Sequence, residues 1–175
     1  MGNAAKVKLI AFDVDGTLTN GTLVISAEET VKLFNAKDGL GIASAERMGY
    51  VVGFITGRIS DPVKKRAEEL SLDFNFMGIS NKVEAMEELL DHYHLTWEEA
   101  AYMGDDLNDL PLIRRVGFSA SPKDGAEEVK KAASFVTKAK GGRGAAREFI
   151  EKILKDQGRW EEAVQSYEGK DKVLQ

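Results

Sequence analysis

The chain contains no cysteine. Disulfides, thiolate nucleophiles and thiolate metal sites are therefore excluded together. Histidine is almost as scarce: His92 and His94 are the only two, late in an amphipathic stretch and away from the apolar runs. Both are read as surface residues, and an imidazole-rich metal centre is not expected. No apolar run approaches the roughly 18 residues that span a bilayer, so no membrane partner is expected. The opening "MGNAAKVKLIAF" lacks the layout of a signal peptide, and position 6 lacks the Ser or Thr of a myristoylation signal. A cytoplasmic location is the expectation. An excess of positive charge is missing too. The net charge of −5 argues against general nucleic-acid binding. It leaves an anionic small substrate open, because local charge decides that.

What is present suits one soluble globular domain over residues 1–175, with 43% hydrophobic and 30% charged residues. Short apolar runs alternate with amphipathic stretches. "KVKLIAFD", "YVVGFITG", "DFNFMG", "AAYMGD", "VGFSA" and "SFVT" read as strands. Several are almost continuously apolar, as parallel strands buried on both faces are. Helices are expected over Asp38–Gly49, over "SDPVKKRAEELS" with Ser60 as N-cap, and over "SNKVEAMEELLDHY". "DGAEEVKKAA", "GAAREFIEKILKD" and a short tail, "GRWEEAVQSY", follow. The order predicts a doubly wound α/β fold, a mostly parallel Rossmann-like sheet with helices on both faces.

One segment breaks the alternation. Residues 17–36 read as a β-hairpin flap after the first strand, with Asn20-Gly21 as a strong turn pair. Near the other end, residues 138–175 hold a glycine-rich stretch, a helix and the tail. Gly141, Gly142 and Gly144 there suggest a mobile loop.

Ligands of open α/β sheets bind beyond the carboxyl ends of the strands. Polar clusters fall at those ends: Asp13-Val14-Asp15-Gly16, Thr56-Gly57-Arg58, Ser80-Asn81-Lys82 and Gly104-Asp105-Asp106, with Asp109 one turn later. Residues i and i+2 of a strand share a side, roughly 6.5 Å apart. Asp13 and Asp15 can therefore flank one small group, and Asp105 adds a carboxylate from a neighbouring strand. Converging carboxylates repel unless a cation joins them, and all-oxygen ligands suit Mg²⁺. Phosphoryl transfer accounts for the companions. Thr56 can donate a hydroxyl hydrogen bond, and Lys82 can hold positive charge against a phosphate and keep the nucleophile ionised. Asp13 can attack phosphorus, and Asp15 can protonate the leaving oxygen and later activate water. Gly16 permits a sharp backbone turn beside the phosphate.

Each cluster alone is commonplace in loops and caps; their order, each after an apolar strand, is not. A receiver-type signalling domain shares an acidic metal site, Thr and Lys. It places adjacent acids first and its Lys last, whereas here the acids alternate and Lys82 precedes Asp105.

"DVDGT", "TGR", Lys82 and "GDDLND" resemble the four motifs of the haloacid dehalogenase superfamily of phosphatases. The stretches "FNAKDGLGI", "GISNK" and "TKAKGGRGAAREFIEKIL" are similar to its capless subfamily, which acts on acidic sugar phosphates. The resemblance implies Asp13 as nucleophile and Asp15 as general acid and base. It implies Mg²⁺ held by Asp13, the backbone carbonyl of Asp15 and Asp105, with Asp106 and Asp109 around them. It implies a homotetramer in place of a cap domain, with flap residues Leu23, Val24 and Ile25 packing between chains; packing within one chain is the plainer alternative. Arg58, Gly57, Asn81 and Arg143 are then expected at the substrate. Nonulosonate 9-phosphate phosphatases of the same subfamily tend to carry glutamate after Thr-Gly, so the resemblance implies that arginine at 58 favours an octulosonate 8-phosphate, whose carboxylate a guanidinium fork can grip.

Overall fold

The computed structural model describes residues 3–26 and 31–168. β1 (Leu9–Phe12) is four apolar residues, all buried. Its side chains alternate between two cores: Ile10 and Phe12 enter one, Leu9 and Ala11 the other. β2 (Val51–Ile55), β3 (Phe74–Phe76), β4 (Ala100–Met103), β5 (Phe118–Ser121) and β6 (Phe135–Val136) complete the sheet. It has six strands in the order β3-β2-β1-β4-β5-β6, and every pairing is parallel. The register sets Phe12 beside Phe54 and Met103, so the carboxyl ends of the central strands lie side by side. The strand order reverses between β1 and β4, which opens a crevice there.

α1 (Ala36–Arg47), α2 (Asp61–Glu69), α6 (Ala145–Asp156) and α7 (Trp160–Glu168) cover one face. α3 (Lys82–Tyr93), α4 (Leu110–Ile113) and α5 (Glu127–Ala132) cover the other. α6 shows why its sequence folds as it does. Ala145, Ala146, Phe149, Ile150, Ile153 and Leu154 recur at helical spacing and are all buried. Phe149 stacks on Phe118 at 5.6 Å between ring centroids and meets Phe12 edge-on at 6.0 Å. No separate cap domain is evident among the described residues.

Local details depart from the sequence reading. α1 begins two residues before Asp38, because the Asn35 side chain accepts from Lys37 N at 2.8 Å and Asp38 N at 3.2 Å. Ser60 occupies the N-cap of α2 in extended conformation, but its side chain makes no capping bond. Among the described residues the flap forms no ladder longer than a single bridge. Its only described pairing is one antiparallel bridge, Val24 to Val31. That bridge puts the chain reversal after Val24, not at Asn20-Gly21 as expected; residues 27–30 lie outside the described residues. Leu23 and Val24 are 38% and 52% exposed, partly covered by their own chain, whereas Ile25 stands 86% exposed. The glycine stretch is not a loose loop either. Gly142 N–H donates to Thr17 O at 3.0 Å, locking it onto the turn after β1.

Candidate active site

The residues expected to do chemistry meet at the crevice between β1 and β4. Asp13 follows β1 directly, and its N–H donates to Met103 O at 2.9 Å. Its side chain is buried, as is that of Lys82, the first residue of α3. Lys82 Nζ lies 2.6 Å from Asp13 Oδ1, 2.6 Å from Asp109 Oδ1 and 3.0 Å from Tyr102 OH. An ammonium has three hydrogens to donate, so this one is saturated. Asp109 is saturated as well. Its Oδ1 also accepts from Tyr102 OH at 2.6 Å, and its Oδ2 accepts the N–H groups of Asp105 and Asp106 at 2.9 and 3.2 Å.

Asp105 forms the opposite wall, with Thr17 Oγ1 donating to its Oδ1 at 3.2 Å. One carboxylate oxygen from each of Asp13, Asp105 and Asp109 falls within 4.8 Å of the others. Because Asp109 spends its oxygens on Lys82, Tyr102 and two backbone donors, Asp13 and Asp105 are the pair able to take a cation. Gly16 closes the turn between them at φ +90°, and a Cβ there would lie 2.0 Å from Asp105 Oδ2. Only glycine fits.

The electrostatics point the same way. Burial, reinforced by Asp109, pushes Asp13 up to about 6 against the pull of Lys82. Burial, then repulsion from Asp13 and Asp109, pushes Asp105 up to about 8. Burial opposes the Lys82 ammonium, but Asp13 and Asp109 outweigh it and hold its pKa above the ordinary value. Burial and the neighbouring carboxylates raise Tyr102 well above an ordinary phenol, so it stays a neutral donor. Two acids raised by burial and by neighbouring carboxylates, offering only oxygen, fit a hard divalent cation such as Mg²⁺.

Asp15 lives in different surroundings. Its carboxylate pairs through Oδ1 with Lys32, whose side chain is only 4% exposed. Arg58 Nε stands 3.7 Å from the other oxygen, on a side chain 60% exposed. Thr56, after β2, is buried, and its Oγ1 accepts from Arg58 N at 3.4 Å, which leaves its own hydroxyl hydrogen to donate.

Other expected residues are not gathered in. The Asn81 side-chain oxygen caps α3, accepting from Val83 N and Glu84 N at 3.2 and 3.3 Å. Asp106 is exposed and caps the turn at Leu107–Asp109, accepting from Leu107 N at 2.7 Å. Gly57 is exposed beside Arg58. Arg143 is exposed and makes no ion pair among the described residues. Three contributors escaped the sequence reading. Tyr102 carried a signal, a lone hydroxyl inside the buried strand "AAYM". Thr17 closes the motif "DVDGT" without any sign that it faces Asp105, and Lys32 carried no signal.

Comparison with known proteins follows this geometry. Residues 72–149 match the model of the haloacid dehalogenase-like hydrolase family. The 3-deoxy-D-manno-octulosonate 8-phosphate phosphatase KdsC of Escherichia coli (strain B / BL21-DE3) is 37% identical over 164 residues, covering 93% of this chain and 87% of the relative. Among solved structures, a probable YrbI family phosphatase from Pseudomonas syringae pv. phaseolica superposes with a TM-score of 0.91 at 41% identity, covering 94% of each chain. The 3-deoxy-D-manno-octulosonate 8-phosphate phosphatase of Moraxella catarrhalis was solved in complex with a magnesium ion, a phosphate ion and a KDO molecule. It superposes with a TM-score of 0.90 at 35% identity, over 94% of this chain and 95% of that one.

Proposed function

This chain belongs to the haloacid dehalogenase-like hydrolases, and from that premise we propose that it is a Mg²⁺-dependent phosphatase of 3-deoxy-D-manno-octulosonate 8-phosphate. It releases the free sugar acid and phosphate, a step toward lipopolysaccharide precursors. The observation that carries the reading is the buried cluster of Asp13, Lys82, Asp109 and Asp105 at the point where the strand order reverses.

The reaction follows from the residues. An Asp13 carboxylate oxygen bonds to phosphorus while the bond from phosphorus to the sugar oxygen breaks. Asp15 gives the departing oxygen its proton. Asp15 then takes a proton from water, whose oxygen attacks the aspartyl-phosphate. Inorganic phosphate leaves and Asp13 is restored. Lys82 holds Asp13 in place through one hydrogen bond and opposes its charge. The Thr56 hydroxyl, whose oxygen accepts from Arg58 N, would donate its hydrogen to a phosphoryl oxygen. Asp13, the backbone carbonyl of Asp15 and Asp105 would hold Mg²⁺, which supplies positive charge against the phosphoryl oxygens and offsets repulsion between the carboxylates. Arg58, at the rim, and Arg143 would meet the carboxylate of the sugar acid, Arg58 by a bidentate fork.

The relative crystallised with a KDO molecule supports the sugar-acid reading. The exposed apolar residues of the flap, Ile25 at 86% and Leu33 at 73%, support a homotetramer that covers them. Among the described residues no helix is long and apolar enough to cross a membrane, which agrees with work in the cytoplasm. A panel of sugar phosphates assayed with Mg²⁺ tests the substrate. The expected result is the highest kcat/KM for 3-deoxy-D-manno-octulosonate 8-phosphate. A higher value for a nonulosonate 9-phosphate, or equal values across neutral and acidic sugars, overturns it.

A further inference from the structure

Asp105 is held by both ends of one closed chain of hydrogen bonds. Its backbone carbonyl accepts from Ala126 N at 2.7 Å, in the loop after β5. Two residues earlier in that loop stands Asp124, whose Oδ1 accepts from Gly141 N at 2.9 Å. The next residue, Gly142, donates its N–H to Thr17 O at 3.0 Å. Thr17 then returns to the start, its hydroxyl donating to Asp105 Oδ1 at 3.2 Å. The circuit joins three segments far apart in the sequence. A second tie, Lys123 N–H to Ala139 O at 3.0 Å, holds the β5 loop to the chain entering the glycine stretch.

The fit is tight. A Cβ on Gly141 would lie 1.8 Å from Gly16 O, and one on Gly142 2.6 Å from the carbonyl carbon of Thr19. These glycines let the two backbones touch, and the contact is with their own chain. The far end of the stretch is fixed by buried Asp38, which accepts from Gly144 N at 3.2 Å and Arg147 N at 2.9 Å.

We infer that Asp124 is a positioning residue for the cation site, acting through the glycine stretch and Thr17 on the carboxylate of Asp105. Asp124 does not reach the site. It seats Gly141 and Gly142 against the turn at Gly16–Thr19, which sets the Thr17 hydroxyl and so the orientation of Asp105. Groups that orient a metal ligand from outside tune its affinity. The inference rests on the phosphatase reading only for the identity of the cation.

The experiment is calorimetric titration of Mg²⁺ into the full chain without substrate, for wild type, Asp124→Ala and Asp124→Asn, beside thermal unfolding in chelator. Asp124→Ala is expected to raise the Mg²⁺ Kd about fivefold. Asp124→Asn keeps an acceptor oxygen for Gly141 N and is expected within about twofold of wild type. In assays, the Mg²⁺ concentration for half-maximal rate should shift for Asp124→Ala while kcat at saturating Mg²⁺ changes little. A purely structural role would lower the unfolding temperature and leave Kd unmoved. That result overturns the inference, as does an Asn variant as weak as the Ala variant. Because no substrate enters the titration, a wrong sugar leaves this test intact. A wild type that binds no Mg²⁺ overturns the cation site and the inference with it.

Discussion

The floor and the rim of the site are built by opposite rules. On the floor, Asp13, Lys82, Tyr102 and Asp109 are buried, and every hydrogen of the ammonium and both oxygens of Asp109 have partners. At the rim, Asp15 is paired with a lysine from the flap and, more loosely, with a mostly exposed arginine. Beyond it the flap leaves apolar residues open, Ile25 at 86% and Leu33 at 73% exposure. The floor is dense because charges out of water must be paired in fixed geometry. The rim is sparse because it must admit and release a polar substrate. On the proposed mechanism the nucleophile sits on the floor, while the proton-transfer residue Asp15 and the recognition residue Arg58 share the rim.

The harshest way to break this contrast is Asp13→Asn. With the nucleophile gone, kcat should fall by about 10⁴ or more while far-UV circular dichroism stays that of the wild type. Residual turnover within tenfold of wild type would remove Asp13 from the attacking role. Next comes Lys82→Met. It leaves Asp13 and Asp109 buried without their counter-charge, an uncompensated burial that costs about 3–5 kcal/mol. Denaturant unfolding should show that loss; Arg58→Met, at the exposed rim, should cost little by the same measure.

A third test separates floor from rim by pH. Burial pushes Asp13 up to about 6 and Asp105 up to about 8 in the folded chain, against about 3.8 for an ordinary aspartate. Between those values the metal-free fold binds protons that the unfolded chain has released. Its stability should therefore fall as pH rises from about 4 through 8. Saturating Mg²⁺, by removing the need for those protons, should flatten the slope. Melting curves at pH 5 and 8 with and without Mg²⁺ check this, and equal slopes would contradict it. The smallest effect is expected of Arg58→Ala. It should lower kcat/KM on the octulosonate phosphate about tenfold and on an aryl phosphate hardly at all. Equal losses on both would move Arg58 from recognition to chemistry.

The sheet was legible in the sequence because its strands are short apolar runs that end in polar residues. All of "KVKLIAFD", "YVVGFITG", "DFNFMG", "AAYMGD", "VGFSA" and "SFVT" contain strands. Asp13 and Thr56 lie directly beyond strand ends, and Asp105 lies two residues beyond one, which is why position alone marked them. The turn within the flap was misplaced for a related reason. Asn20-Gly21 is a local signal for a turn, yet Gly21 at φ +80° serves a bend rather than the reversal of a ladder. Asn81 and Asp106 were marked by their neighbours and turn out to spend side-chain oxygens on helix caps. A polar residue beside a catalytic one has two possible employers, and only the position of the helix N–H groups tells which.

What the sequence determined by itself is the alternation of strand and helix, the exclusion of thiol chemistry, and the set of carboxylates at the strand ends. These are local matters of residue type and period. The tertiary structure decided which oxygens are spent and which are left for a cation. It decided that Tyr102 and Lys32 join the site, and that the glycine stretch grips its own chain. Lys82 reaches Asp13 across 69 residues and Thr17 reaches Asp105 across 88. Hydrogen-bond saturation and the cost of burying charge depend on such distant partners, and no local pattern carries them.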